Sequence, residues 1–209
     1  MKTKWIITIG REFCSGGADT ARKVAQLLDI PYYDKEIIDE TVERTQLSEE
    51  VVNRHDEQPV GYHDITGFQY GNLWYNSDPS LMLPLGMRVA DAQFEVIRQA
   101  ANRGPCVIVG RCADYALEER HDVIDVFIRA DLDFRVKRAM DAFHLSEADA
   151  RKLIRRTDKI RSSYYRYYTQ TTWGDPEHYD LVIDTSTLGI DAAAGIIADL
   201  AQREDILKK

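Results

Sequence analysis

Two groups of residues have types and spacings suited to work on a phosphate. The first is Ser15-Gly16-Gly17-Ala18-Asp19-Thr20. Adjacent glycines let backbone N–H groups turn inward with no side chain in the way. Thr20 follows at the position where a phosphate-binding loop holds Mg²⁺ with a hydroxyl. No lysine completes the usual Gly-x-x-x-x-Gly-Lys-Ser/Thr spacing, because Ala18 follows the glycine pair. The second group is Arg151, Lys152, Arg155, Arg156, Lys159 and Arg161, six basic residues within eleven positions. Arg155 and Lys159 lie four apart, as do Lys152 and Arg156, so each pair shares a helical face. Phosphoryl transfer needs donors around the charge that spreads over the transferring group. An arginine-rich lid supplies such donors and excludes water on closing. The plainer readings are a tight turn for the first group and a solvated or partner-binding helix face for the second.

The elements that must position these groups follow from the hydrophobic pattern. The run Trp5-Ile6-Ile7-Thr8-Ile9 stops at Gly10, and Ala21, Val24, Ala25 and Leu28 recur at helical spacing. The pattern predicts strand, glycine-rich turn and helix. The helix N-terminus adds partial positive charge and unpaired donors. A short strand over Ile30–Tyr33 ends at Asp34, and helices are expected from Lys35 to Arg44 and after the cap Ser48. Another helix is expected from Leu85 to Asn102, stopped by Gly104-Pro105. The strand Cys106–Val109 ends at Gly110-Arg111, with a helix predicted from Ala113 to Arg120. Val123–Ile128 is the next strand. Asp133 opens a helix carrying Arg135 and Arg138, and Ser146 and Asp149 form a capping box for the helix after it. Leu181–Asp184 is the last strand, before a helix from Ile190 to Arg203.

This alternation implies a parallel sheet covered on both faces, with ligands beyond the carboxyl ends of its strands. Three of those ends carry chemistry: the loop after Ile9, Asp34 and Arg111. The last two could hold an acceptor or pair with each other. Between His55 and Pro84 lie several prolines and glycines with Tyr62, Phe68, Tyr70, Trp74 and Tyr75 among them, which reads as an ordered, irregular insertion whose aromatics pack on the body or stack on a base. The tyrosines between Tyr164 and Tyr168 read as a helix packed on the body.

Composition sets the bounds. With 209 residues and 44% apolar content, the chain suits one α/β domain. A net charge of −8 argues against a general nucleic-acid or anionic-membrane surface. The three cysteines, Cys14, Cys106 and Cys112, follow no metal or disulfide spacing and suggest a reduced compartment. With no signal peptide and no apolar run of roughly 18 residues, a cytoplasmic location is expected.

The combination of Ile7–Phe13 with Ser15-Gly16-Gly17, Tyr33-Asp34-Lys35-Glu36 and Val107-Ile108-Val109-Gly110-Arg111-Cys112-Ala113-Asp114 resembles the cytidylate kinase-like family of P-loop kinases. So do Asp133–Arg138, Asp158-Lys159-Ile160-Arg161 with the tyrosine run, Trp173-Gly174 and Tyr179–Asp184. The resemblance covers most of the chain. It implies a three-layer P-loop kinase fold over residues 1–209, with an acceptor-side insertion at about 35–85 and a helical lid at about 145–175. It implies ATP and Mg²⁺, and a nucleotide or small-molecule acceptor as partner. A homo-oligomer is compatible with it; a nucleic-acid polymer and a membrane are not expected. Carried over by position, Gly16, Gly17 and Thr20 fall on the phosphate loop; read from the residues themselves, Ser15, Ala18 and Asp19 complete the cradle and Thr20 is the candidate metal ligand. Asp158 and Arg161 fall on the lid motif and Arg111 on the arginine that holds the acceptor phosphate; read from the residues alone, Arg155 and Arg156 join the lid, Arg135 points the same way or lies over the core, and Asp34 and Asp114 are acceptor-side candidates.

This chain departs from the family pattern at three places. Ala18 stands where cytidylate kinases have lysine, and Arg11 or Arg22 is the candidate replacement charge. Cys112 stands where they have aspartate, with Asp114 two residues on. Lys35 and Glu36 replace a small hydroxyl residue and glycine. The expected activity is therefore an ATP-dependent phosphotransferase with an open acceptor. The alternatives are a nucleotide-binding regulatory module with little turnover and a kinase for a non-nucleotide metabolite.

Overall fold

Five parallel strands in the order β2-β3-β1-β4-β5 form the centre of the computed structural model, which describes residues 3–59 and 84–203. The strands are β1 (Ile6–Arg11), β2 (Tyr32–Tyr33), β3 (Val107–Val109), β4 (Val123–Arg129) and β5 (Leu181–Asp184). The helices described are α1 (Gly17–Leu28), α2 (Lys35–Thr45), α3 (Glu49–His55), α4 (Leu85–Arg103), α5 (Ala113–Ala116), α6 (Leu132–Phe143), α7 (Glu147–Thr169), α8 (Thr185–Leu188) and α9 (Ile190–Gln202). The aromatic residues expected in the insertion lie outside the described residues.

Strand side chains alternate between faces, and each face has its own core. Ile7, Ile9, Val126 and Ile128 face α1 and α9, meeting Val24, Ala25, Ala194 and Ile197. Ile6, Ile108 and Phe127 face the other way, against Phe94 and Ile97 of α4 and Tyr164 and Tyr165 of α7. The tyrosine run thus packs on the body. Helices α6 and α7 join through a smaller cluster of Val136, Ala139, Ala150 and Ile154, into which Phe13 and Cys14 of the first loop also pack. Among the described residues no helix is long and apolar enough to cross a membrane.

Two elements are shorter than their sequence suggests. Helix α5 stops at Ala116 rather than Arg120. Glu118 and Glu119 would place negative charge at the negative pole of a longer helix. Strand β2 comprises only Tyr32 and Tyr33. Pro31 has no N–H for the ladder, though its carbonyl accepts from Val107 N at 2.9 Å.

The strand order puts β1 between β3 and β4, so the chain leaves the sheet in opposite directions on either side of it. The crevice at such a switch point is where open α/β sheets bind ligands.

Candidate active site

The loop from Glu12 to Gly16 joins β1 to α1 at this crevice. Gly16 has φ +85° and caps α1, a left-handed conformation that glycine adopts without a side-chain clash. At Gly17 a Cβ would lie 2.4 Å from Cβ of Arg11, so only glycine fits. The first helical N–H in the ladder is that of Thr20, bonded to Gly16 O at 2.8 Å. Before it, Gly17 N–H donates to Ser15 Oγ at 3.3 Å, a weak contact. The N–H groups of the first turn therefore point at the space in front of the loop. The Thr20 hydroxyl is buried and has no hydrogen-bond partner among the described residues. A buried orphan oxygen at this position fits a metal or phosphate ligand. The loop is tied from the far side of the sheet by Thr185, whose hydroxyl donates to Ser15 O at 2.5 Å and reaches Arg129 O at 3.1 Å.

The charges around the loop are arranged in pairs. Asp19 accepts from Arg138 at 2.6 Å and from Arg22 at 3.4 Å. Arg22 is exposed, lying 5.3 Å over the Tyr32 ring. Arg138 comes closer to the loop, its guanidinium carbon 3.9 Å from the place a Cβ on Gly16 would occupy. Asp158 accepts from the N–H of Phe13 at 2.8 Å and from Arg135 at 2.6 Å, which clamps α6, α7 and the loop together. Arg155 and Arg156 are exposed, and Arg155 donates to the carbonyl of Arg151 in its own helix at 3.3 Å. In this structure they do not join the loop.

Beside the loop, three arginines from three elements converge. Arg11 ends β1, Arg111 follows β3 and Arg161 lies in α7. Gly110, Arg111 and Cys112 all have positive φ, and this left-handed turn brings the Arg111 side chain back over the strand ends. Its NH1 donates to Val109 O at 3.1 Å and to Asp34 Oδ1 at 2.5 Å. Its other edge grips Asp56 bidentately, at 2.9 and 2.8 Å. Glu57 accepts from Arg11 at 2.5 Å, from Arg161 at 3.0 Å and from the Arg111 N–H at 3.1 Å.

Burial alone would push Glu57 up, but Arg11, Arg161 and Arg111 outweigh it and hold the carboxyl well below the usual range. Burial also opposes ionisation of Asp34, and Arg111 reverses it, lowering its pKa. Arg161 is lowered by burial and by Arg11. Arg111, which burial would lower, is raised by Asp56, Glu57 and Asp34. Three cations thus face three carboxylates in a closed network.

Asp114 accepts from the Tyr165 hydroxyl at 2.7 Å, and burial pushes its pKa up to about 6. It forms a wall between two cavities. The smaller, about 20 Å³, is lined by Arg11, Glu57, Arg111, Arg161 and Tyr164 among others. The larger, about 430 Å³, reaches Trp5, His121 and Val123 at the starting ends of β1 and β4. Ligands of such sheets bind at the opposite ends, so the smaller cavity belongs to the site.

Sequence reasoning missed Asp56 and Glu57 and left Arg138 unassigned. Asp56 and Glu57 look locally like Glu49 and Glu50. What distinguishes them is the left-handed backbone of Glu57, φ +49°, which no local pattern signals.

Comparison with known proteins agrees with this architecture. The model of the cytidylate kinase-like family matches residues 6–187. A cytidylate kinase from Sulfolobus acidocaldarius is 34% identical over 84 residues, 40% of this chain and 46% of that protein. The chain thus spans less than half the length of this curated relative. The crystal structure of an uncharacterized protein from Eubacterium ventriosum superposes with a TM-score of 0.71 at 30% identity, covering 96% of this chain and 100% of that one. Shikimate kinase from Bacteroides thetaiotaomicron, at 11% identity, superposes with a TM-score of 0.56 over 95% of this chain and 99% of its own; this likeness shows a shared P-loop kinase fold. With the family model matched from β1 to α8, the chain belongs to the cytidylate kinase-like family.

Proposed function

We propose that the chain is an ATP-dependent phosphotransferase whose acceptor is a nucleoside monophosphate or similar small molecule. One observation carries the reading. A glycine-shaped helix N-terminus and a convergence of three arginines open from adjoining strand ends, as a donor and an acceptor of phosphate require. Family membership supports it.

In this reading the N–H groups at the start of α1 receive the donor phosphates. The buried Thr20 hydroxyl, with no partner among the described residues, would hold Mg²⁺, which would supply charge neutralisation for the phosphates. Arg138 supplies the cation that Ala18 does not. Arg135 and Asp158 hold the loop in shape. Arg11, Arg111 and Arg161 bind and orient the acceptor, with Asp34 fixing the Arg111 fork. Arg155 and Arg156, exposed on α7, are the candidate lid donors. An acceptor oxygen attacks the γ-phosphorus as the bond to the β-phosphate oxygen breaks, so no protein nucleophile is needed. A coupled assay with ATP, Mg²⁺ and a panel of nucleoside monophosphates and phosphorylated metabolites is the test. A phosphorylated product from at least one acceptor is expected.

Ala18 favours a second reading, a nucleotide-binding module without efficient turnover. Tight ATP binding with no product from any acceptor would decide for it.

A further inference from the structure

We infer that the Asp56-Glu57 turn is an internal occupant of the acceptor's anion site, and that an acceptor binds by displacing it. The inference rests on the phosphotransferase reading for the identity of the site, but its physical basis is independent of turnover.

The two carboxylates use the donors that an incoming oxyanion would need. Asp56 fills the fork of Arg111, and Glu57 takes NH1 of Arg11, Nε of Arg161 and the backbone N–H of Arg111. The space left beside them, about 20 Å³, is that of a single water. A phosphoryl group cannot enter unless something leaves.

The arginines are the less movable partners. They belong to β1, to the turn that ends β3 and to the long helix α7, and Arg11 and Arg111 are buried. Asp56 and Glu57 follow the seven-residue α3. Beyond the arginines, the described tie on their side chains is Gln93 Nε2 to Asp56 Oδ1 at 2.9 Å. Glu57 also holds a left-handed φ of +49°, a conformation that costs a β-carbon-bearing residue energy. Its carboxylate presses on Gly110, where a Cβ would meet Glu57 Oε1 at 2.3 Å.

A second observation points to a ligand. Tyr164 lines the same small cavity and is 2% exposed, and its hydroxyl has no hydrogen-bond partner among the described residues. Buried hydroxyls are almost always bonded. An oxyanion in place of Glu57 would give it an acceptor. Charge completes the case: Asp34 stays on Arg111, and a phosphate dianion can replace the carboxylate pair on the three guanidinium groups, whereas a neutral acceptor would leave two of their three charges uncompensated. The acceptor class is therefore one that carries a multiply charged oxyanion.

The test is calorimetric titration with inorganic phosphate of the intact chain and of the double variant Asp56→Asn/Glu57→Gln, with Glu50→Gln as control. Removing the competing carboxylates should tighten phosphate binding by about tenfold or more, with no change in the control. An unchanged or weakened affinity in the variant overturns the inference, because the pair would then be a fixed support for the arginines. If the double variant does not fold, hydrogen exchange of the unaltered protein decides. Saturating phosphate should speed exchange at the amides of residues 55–58; protection of that segment overturns the inference. Displacement by phosphate in a protein that phosphorylates no acceptor would remove the kinase reading and leave this one standing. Product formation with no displacement would do the reverse.

Discussion

Ala18 leaves the glycine loop without a lysine, and Arg138 of another helix borders it. Arg138 reaches Asp19 in the first turn of α1 and borders Gly16. Arg11 is engaged by Glu57, and Arg22 lies exposed on the far side of Asp19. Arg138→Gln should therefore lower kcat/KM for ATP by about 100- to 1000-fold, the usual effect of losing one donor to the transferring group. Circular dichroism should show an unchanged fold. Kinetics within threefold of the unaltered enzyme would remove Arg138 from the donor site. At this scale the sequence showed residues at strand ends well. Asp34 and Arg111 were visible because a strand that stops at a charged residue delivers it to the crevice. Arg138 was noted but not assigned, since its approach depends on how α6 packs, which periodicity does not encode. Glu57 was invisible because glutamate carries no preference for the left-handed turn that aims it.

The helices α6 and α7 and the glycine loop pack together, and Phe13 sits at their junction. Its ring stacks on Phe143 at 5.8 Å between centroids and packs with the cluster around Val136 and Ile154. Its N–H donates to Asp158, which also receives Arg135. Arg161 lies 5.8 Å over the same ring. Phe13→Ala should cost about 1 to 2 kcal/mol of stability, less than a fully buried phenylalanine, and weaken ATP binding by about tenfold. Urea unfolding and ATP titration measure the two effects. Lost stability with unchanged ATP affinity would mean that Phe13 is only packing. Most elements were legible from the sequence, because strand and helix periods were clean and caps such as Ser48 and Ser146 mark helix starts. The coupling was not. Phe13 reads as a loop aromatic until the hairpin of α6 and α7 closes over it.

For the whole molecule, acidity is distributed in two opposing ways. Asp34 and Glu57 are held below the usual carboxylate range by arginines, so they contribute stability above that range and lose it as the pH falls through their folded-state values. Asp114 behaves oppositely. Burial raises its pKa to about 6, so the folded chain binds a proton that the unfolded chain releases near pH 4, and stability falls as pH rises through that interval. Asp114→Asn should therefore raise the melting temperature at pH 7.5, by on the order of 1 kcal/mol in stability, because the cavity beside it keeps the carboxyl partly wet. The gain should shrink toward pH 4.5; an equal gain at both pH values would mean that the carboxyl titrates normally. The parallel α/β architecture was readable from the alternation of elements, whereas this balance depends on contacts between distant segments. Those contacts also set an order of assembly. Arg11 and Glu57 are 46 positions apart, Asp34 and Arg111 77, Glu57 and Arg161 104, and Ser15 and Thr185 170. Closing such long loops is entropically costly and slow. A chain emerging from the ribosome with its N-terminus first has its glycine loop outside early, yet cannot complete the arginine network before residue 161 or tie the loop before residue 185. A loop made early is thus among the last parts of the fold to be completed.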